Sequence, residues 1–175
     1  TVVLANMRRG GNALVALDVT APTDPLFMWQ FYHSGMGLAY GTPAIGVVFT
    51  DWGGRLAERA IALVPGGLGE LDTKAPPRSC KLKKRPKRGK GGSRALARCY
   101  QNLGRYLWAI DLGTGVVIRE FDFNDFDVPV VGSPVFFQGS AGAVATRAFF
   151  TDQEGIVYRI DFSDHDPDNW AIEAL

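Results

Sequence analysis

The chain has 175 residues, 46% hydrophobic and 21% charged, which is enough for one ordinary domain with a buried core. No apolar run approaches the roughly 20 residues that cross a membrane as a helix, so the composition excludes a helical span. The formal net charge of +1 hides a division: of 19 Lys and Arg, 11 lie between residues 74 and 98, where no Asp or Glu occurs, and all 18 acidic residues lie elsewhere. An acidic body of that kind is not built for specific nucleic-acid binding.

In chain order, residues 1–7 read as a strand, with no charged region or cleavage site ahead of them, so the chain is expected to be an internal or processed piece of a longer protein. Ala13-Leu14-Val15-Ala16-Leu17-Asp18 and residues 26–31 then form a hairpin, two β-rich runs around a polar turn. Gly41-Thr42-Pro43 introduces a near-continuous apolar run to Phe49, expected to be buried on both faces, with Pro at the strand start where a missing N–H is tolerated. Residues 58–64 form the next strand. After a long interruption, Tyr106-Leu107-Trp108-Ala109-Ile110-Asp111 and residues 117–123 repeat the hairpin. Gly132-Ser133-Pro134 opens a second apolar run, residues 144–151 follow, and Ile156-Val157-Tyr158-Arg159-Ile160-Asp161 with residues 170–174 closes the series.

The spacing tests this register. Pro43 and Asp111 stand 68 positions apart, Pro134 and Asp161 only 27, which marks an insertion of 41 residues. Removing it brings the Asp18–Asp111 distance of 93 down to 52, against 50 for Asp111–Asp161. A unit of about 50 residues with four strands matches a propeller blade. The expected fold is therefore all-β: a β-propeller fragment of about three four-stranded antiparallel blades at 1–32, 41–123 and 132–175, the first incomplete. An open β-sandwich explains the short strands but not the recurrence. A closed propeller has typically four to eight blades, so the remaining blades are expected from the rest of a longer chain or from partner chains.

The insertion, residues 65–104, has a Lys/Arg/Gly-rich centre. Lys81, Lys83, Lys84, Arg85, Lys87, Arg88 and Lys90 are its candidate binding residues, for an anionic surface or an acidic partner protein. The alternatives are a merely solvated loop, or one that lies on the acidic body of its own protein. No aromatic residue is interleaved to stack on bases, so nucleic-acid binding would be non-specific and salt-dependent. Cys80 and Cys99 bracket this run at no zinc spacing and with no nearby His. A disulfide between them is expected, which implies an oxidising compartment; two free thiols are the alternative.

No nucleophile elbow, P-loop or dinucleotide fingerprint occurs, and His33 and His165 have no companion at metal-ligand spacing. No catalytic, cofactor or metal residue is assigned. The runs Asp164–Asn169 and Asp122–Asp127 lack the Gly and Glu an EF-hand loop needs and read as polar turns. Asp18, Asp111 and Asp161 occupy equivalent repeat positions and read as turn-makers, accepting from N–H groups two residues on.

One passage points further. Arg8-Arg9-Gly10-Gly11-Asn12-Ala13-Leu14-Val15-Ala16-Leu17-Asp18-Val19-Thr20, with Pro22-Thr23-Asp24-Pro25 and Trp29, resembles the propeller of PilY-type adhesins at the tip of bacterial type IV pili. Gly41-Thr42-Pro43 and Thr151-Asp152-Gln153-Glu154-Gly155 leading to Asp161 are similar to later blades of that propeller. The resemblance implies a non-enzymatic, extracellular protein at the pilus tip, exported through the periplasm. It would act with minor pilins in pilus assembly, adhesion and surface motility. Many members carry an Asp/Asn-rich calcium loop before the strand corresponding to residues 145–151. Here Gln138-Gly139-Ser140-Ala141-Gly142-Ala143 has no carboxylate, so calcium is expected only in parts of the protein outside this chain. The alternative is a quinoprotein dehydrogenase propeller, whose motif Ala109-x-Asp111-x-x-Thr114-Gly115 begins to match, but Arg119 stands where that family has Trp. A structural propeller, a scaffold of the outer envelope, is a third class.

Overall fold

A computed structural model describes residues 1–71, 99–122, 124–139, 142 and 144–175. Eleven strands are present among them. The first sheet has three strands, β1 (Val2–Asn6), β2 (Ala13–Asp18) and β3 (Leu26–Tyr32). The second has four, β4 (Ala44–Asp51), β5 (Leu56–Pro65), β6 (Leu107–Asp111) and β7 (Val117–Phe121). The third also has four, β8 (Val135–Phe137), β9 (Arg147–Thr151), β10 (Val157–Asp161) and β11 (Ala171–Ala174). Neighbouring strands within each sheet run antiparallel in sequence order. The one helical element among the described residues is a single 3-10 turn, Pro167–Asn169. The chain is all-β, as expected, with three consecutive antiparallel sheets of the propeller kind.

The sheets are equivalent down to single positions. Asp18 pairs with Val2, Asp111 with Ile61 and Asp161 with Arg147. Ile61 in turn pairs with Gly46, and Arg147 with Phe137. Counting back three residues from Gly46 and Phe137 lands on Pro43 and Pro134 in both cases. The Asp and Pro marks in the sequence therefore fall at one place in each sheet.

Alternation along the strands decides which face meets which neighbour. Between the first and second sheets, Leu14, Ala16, Trp29 and Phe31 pack against Ala62, Val64, Trp108 and Ile110. Between the second and third, Ile61, Leu63, Leu107 and Ala109 meet Ala148, Phe150, Tyr158 and Ile160. The second sheet is thus buried on both faces, and all five residues of β6 are buried. Each large side chain removed from water there contributes about 2–3 kcal/mol. Polar anchors join the layers: the indole N–H of Trp29 donates to the Leu112 carbonyl across the first interface at 2.9 Å.

Arg119, where the quinoprotein motif has Trp, docks differently. Its guanidinium lies over the Phe121 ring and binds Asp168 of the 3-10 turn Pro167–Asn169 at 2.9 Å. The inner strands also depart from the expected two-sided burial. Ile45 is 45% exposed, and Val135 and Phe137 are 64% and 48% exposed. Ile45 lies on the face of β4 turned towards the first sheet, and Val135 and Phe137 lie on the face of β8 turned away from the second.

Candidate functional site

The connections between strands segregate to two sides of the sheet array. The turns of the Asp-ended hairpins and the tip of the β4–β5 hairpin lie on one side. The connections β3–β4, β5–β6, β7–β8 and β9–β10 lie on the other, and the insertion leaves the body from this second side.

Lys81, Lys83, Lys84, Arg85, Lys87, Arg88 and Lys90 lie outside the described residues, as does Cys80 with its expected bridge to Cys99. The described foot of the insertion is firmly built. Leu71 bridges Tyr100, and the Gln101 N–H donates to the Glu70 carbonyl, so the two ends of the loop meet as a short antiparallel pair. Leu68 forms a second bridge with Leu38 of the β3–β4 connection. The Gly67 N–H donates to Val130 and the Val130 N–H to Gly104, bringing in the β7–β8 connection. The third sheet contributes its β9–β10 turn: the Gln153 side chain accepts from the Gly69 N–H, and Glu154 accepts from the Tyr100 hydroxyl at 2.6 Å. One foot is therefore held by loops running from all three sheets.

The backbones approach so closely that side chains are excluded. A Cβ on Gly66 would lie 2.2 Å from the Gly104 carbonyl oxygen, and Gly104 itself adopts φ +78. Only glycine meets both demands without strain. The Gly66-Gly67-Leu68-Gly69 run, which reads in sequence as a mere turn, is the floor of this clamp. The signal that could have found it is the match between this run and the separate Gly35, Gly37 and Gly104, but those contacts are non-local.

Further charges share this side. Arg8, the one described non-glycine residue at positive φ, bridges Ala39, and Arg9 donates to the Tyr40 hydroxyl at 2.5 Å. The Arg105 guanidinium donates to the Phe126 carbonyl at 2.7 Å, and burial holds its pKa below the ordinary value. Carboxylates of Glu70 and Glu154 stand at the base, with Asp122, Asp125 and Asp127 in the neighbouring connection. The described foot of the insertion thus stands in a rim of mixed charge.

The other candidates resolve into structure. Asp18 accepts from the Thr20 N–H, Asp161 from the Ser163 N–H, and Asp111 from the Thr114 N–H and the Arg59 guanidinium, as turn-makers do. Asp164 accepts from the Asp166 N–H, Asp166 from the Asp168 N–H, and Asp122 from the Asn124 N–H. Among the described residues no group of three or more His, Cys, Asp or Glu is placed to hold a metal ion. His33 packs against Tyr106 and Trp108, and His165 against Phe49, while the His165 carbonyl accepts from the Thr50 hydroxyl. No helix among the described residues is long and apolar enough to cross a membrane.

No protein-family model matches the chain, and no curated protein matches it in sequence. Among solved structures it matches a crystal structure of the Pseudomonas aeruginosa PilY1 C-terminal domain, with a TM-score of 0.62 and 21% identity. The match covers 92% of this chain and 26% of that one, so the chain spans about a quarter of the length of the structure it matches. The likeness is one of fold: three consecutive sheets of this chain share the architecture of part of the PilY1 C-terminal domain.

Proposed function

We propose that this chain is part of a non-enzymatic, PilY-like protein of the type IV pilus tip that supports pilus assembly, adhesion and surface motility by binding other proteins or surfaces. The observation that carries the reading is the fold match over nearly the whole chain, joined to the Arg8–Thr20 passage that resembles PilY-type proteins. The protein acts outside the cell, reaches the surface through the periplasm, and has minor pilins as partners. Deleting the gene should abolish or sharply reduce surface piliation and twitching while leaving pilin expression intact. Unchanged piliation, or dye-linked alcohol oxidation by purified protein with a bound quinone, would overturn this reading in favour of an envelope scaffold or the quinoprotein.

The cationic insertion is the binding arm. Its described base, residues 65–71 and 99–104, is fixed by the glycine clamp. Lys81, Lys83, Lys84, Arg85, Lys87, Arg88 and Lys90 meet an anionic surface or an acidic protein, and a Cys80–Cys99 bridge closes the arm near its base. In the chain-entropy account such a bridge contributes about 3 kcal/mol. Replacing Lys83, Lys84 and Arg85 with Glu should weaken binding to anionic vesicles at least tenfold at low salt and flatten the dependence on salt. Equal binding by wild type and variant would assign the arm no part in recognition.

A further inference from the structure

The β3–β4 connection, residues 33–43, is the arm by which the first sheet reaches the foot of the insertion, and a histidine stands at its root. The His33 carbonyl accepts from the Met36 N–H at 2.9 Å, so residues 33–36 form a turn. Inside that turn the His33 Nδ1 accepts from the Gly35 N–H at 3.0 Å. An imidazole nitrogen accepts only when it carries no proton, so this contact fixes the neutral ring with its hydrogen on Nε2. Gly35 passes the hold onward. Its carbonyl accepts from the Gly104 N–H at 2.8 Å, and a Cβ on it would lie 2.2 Å from the Tyr106 ring. Two residues on, the Gly37 N–H donates to the Gly66 carbonyl. Gly66 and Gly104 are the walls of the glycine clamp, so the His33 ring is joined to it through Gly35.

The other edge of the same ring faces charge. Nε2 lies 3.6 Å from Glu120 Oε2 of β7, close enough for an ion pair and too far for a hydrogen bond. That oxygen accepts from the Trp108 indole N–H at 2.7 Å, which holds it in place. The Tyr106 and Trp108 rings stand 5.1 and 5.2 Å from the imidazole, within the range at which an aromatic ring attracts a cation. Tyr106, in the β5–β6 connection, is held above the ordinary phenol value by burial and by Glu120 and Asp122, against Arg105, so it stays an uncharged neighbour. The His33 side chain is 33% exposed, so solvent protons reach it.

We propose that His33 is a proton-operated catch on the foot of the insertion: the neutral ring holds Gly35, and the protonated ring lets Gly35 go and turns its charge to Glu120. Protonation places a hydrogen on Nδ1 against the Gly35 N–H, donor against donor, and that contact is lost. Glu120 and the two aromatic rings favour the charged imidazole, so acid exchanges a backbone bond for an ion pair and leaves the sheets folded. Because proton uptake favours the released form, the hold is complete at the alkaline end and is lost as pH falls through the range between about 8 and 5 in which histidine titrates. The arm from the first sheet then loosens from Gly104, while the Leu71–Tyr100 pair and the Tyr100–Glu154 bond keep the foot on the third sheet. His165 gives the contrast: its ring packs on Phe49 and its backbone carbonyl accepts from Thr50, away from the clamp. The inference stands on these hydrogen bonds and not on the pilus reading, so either can fail without the other.

The test is hydrogen exchange at Gly35 and Gly104 over that pH range, referred at each pH to the rate of an unstructured peptide. Protection at both amides should fall about threefold or more in a single-proton step as the solution is acidified. His33→Asn keeps an acceptor oxygen near the place of Nδ1 and cannot be protonated there, so its protection should stay high and flat. His165→Asn should keep the step. Glu120→Gln retains an acceptor for the Trp108 indole but removes the attraction for the charged ring, so the step should move to lower pH. Should His33→Asn fail to fold, nitrogen NMR of labelled histidine in the unaltered protein decides: the neutral ring must carry its hydrogen on Nε2. Protection that does not change with pH, the same step in His33→Asn, a step that stays in place in Glu120→Gln, or a neutral ring with its hydrogen on Nδ1 overturns the proposal and leaves His33 a packed side chain.

Discussion

Asp111 shows how one residue type serves the repeat and is then given extra duty. Like Asp18 and Asp161 it accepts a turn N–H, but it also accepts the Arg59 guanidinium at 3.0 Å and is only 6% exposed. Burial pushes its carboxyl up, and the hydrogen bonds from Thr114 and Arg59 outweigh that, so it rests below the ordinary value. Asp161 is held low by the Ser163 hydroxyl and N–H. A depressed carboxylate contributes stability that is complete above its unfolded value near 4 and is lost as pH falls through the folded one. Urea unfolding at a series of pH values should therefore give a plateau at neutral pH and a decline below about pH 4, shallower in Asp111→Asn. Asp111→Ala leaves Arg59 and the Thr114 N–H without their partner and should cost about 2–3 kcal/mol. A fully stable Asp111→Ala protein would contradict the turn-maker role. That role was legible in the sequence, because three Asp residues at equal corrected spacing argue for geometry and against catalysis. The Arg59 partnership was not, since it joins strands 52 residues apart.

At the scale of elements, strand existence was readable and strand surroundings were not. Alternating and continuous apolar runs between Gly- and Pro-marked turns locate all eleven strands found among the described residues within a few positions, because period-two patterning is a local property. Two-sided burial of the inner strands was also expected from their apolar content, yet Ile45, Val135 and Phe137 are substantially exposed. Burial depends on what stands next to a strand, and apolar composition cannot report an absent neighbour. The glycine clamp escaped for the same reason. Gly66→Ala should drive a methyl into the Gly104 carbonyl and pull the foot from the loops beside it. The cost should be about 2 kcal/mol or more, or roughly 4–8 °C in Tm for a chain of this size. Differential scanning calorimetry reads the first, and hydrogen exchange at Gly35 and Val130 locates the damage.

For the molecule as a whole, the second sheet is packed on both faces, between the first and the third. The repeat arithmetic led directly to this layout, because a 41-residue correction left units of nearly equal length. The pilus reading rests on shape and on one short passage, and it is tested in cells. The histidine catch is tested in the purified protein. The meeting of Leu71 with Tyr100 has a practical consequence. Two chain ends already in register ask almost nothing of whatever spans them, since loop closure depends only weakly on length. Residues 72–98, together with Cys99→Ser, should be exchangeable for a two- to four-residue linker with Tm shifted by only a few degrees, because the shorter closure offsets the lost Cys80–Cys99 bridge. The β5–β6 junction is thus a display position, where cargo closed by its own cysteine pair can be swapped while the sheets beneath keep their arrangement.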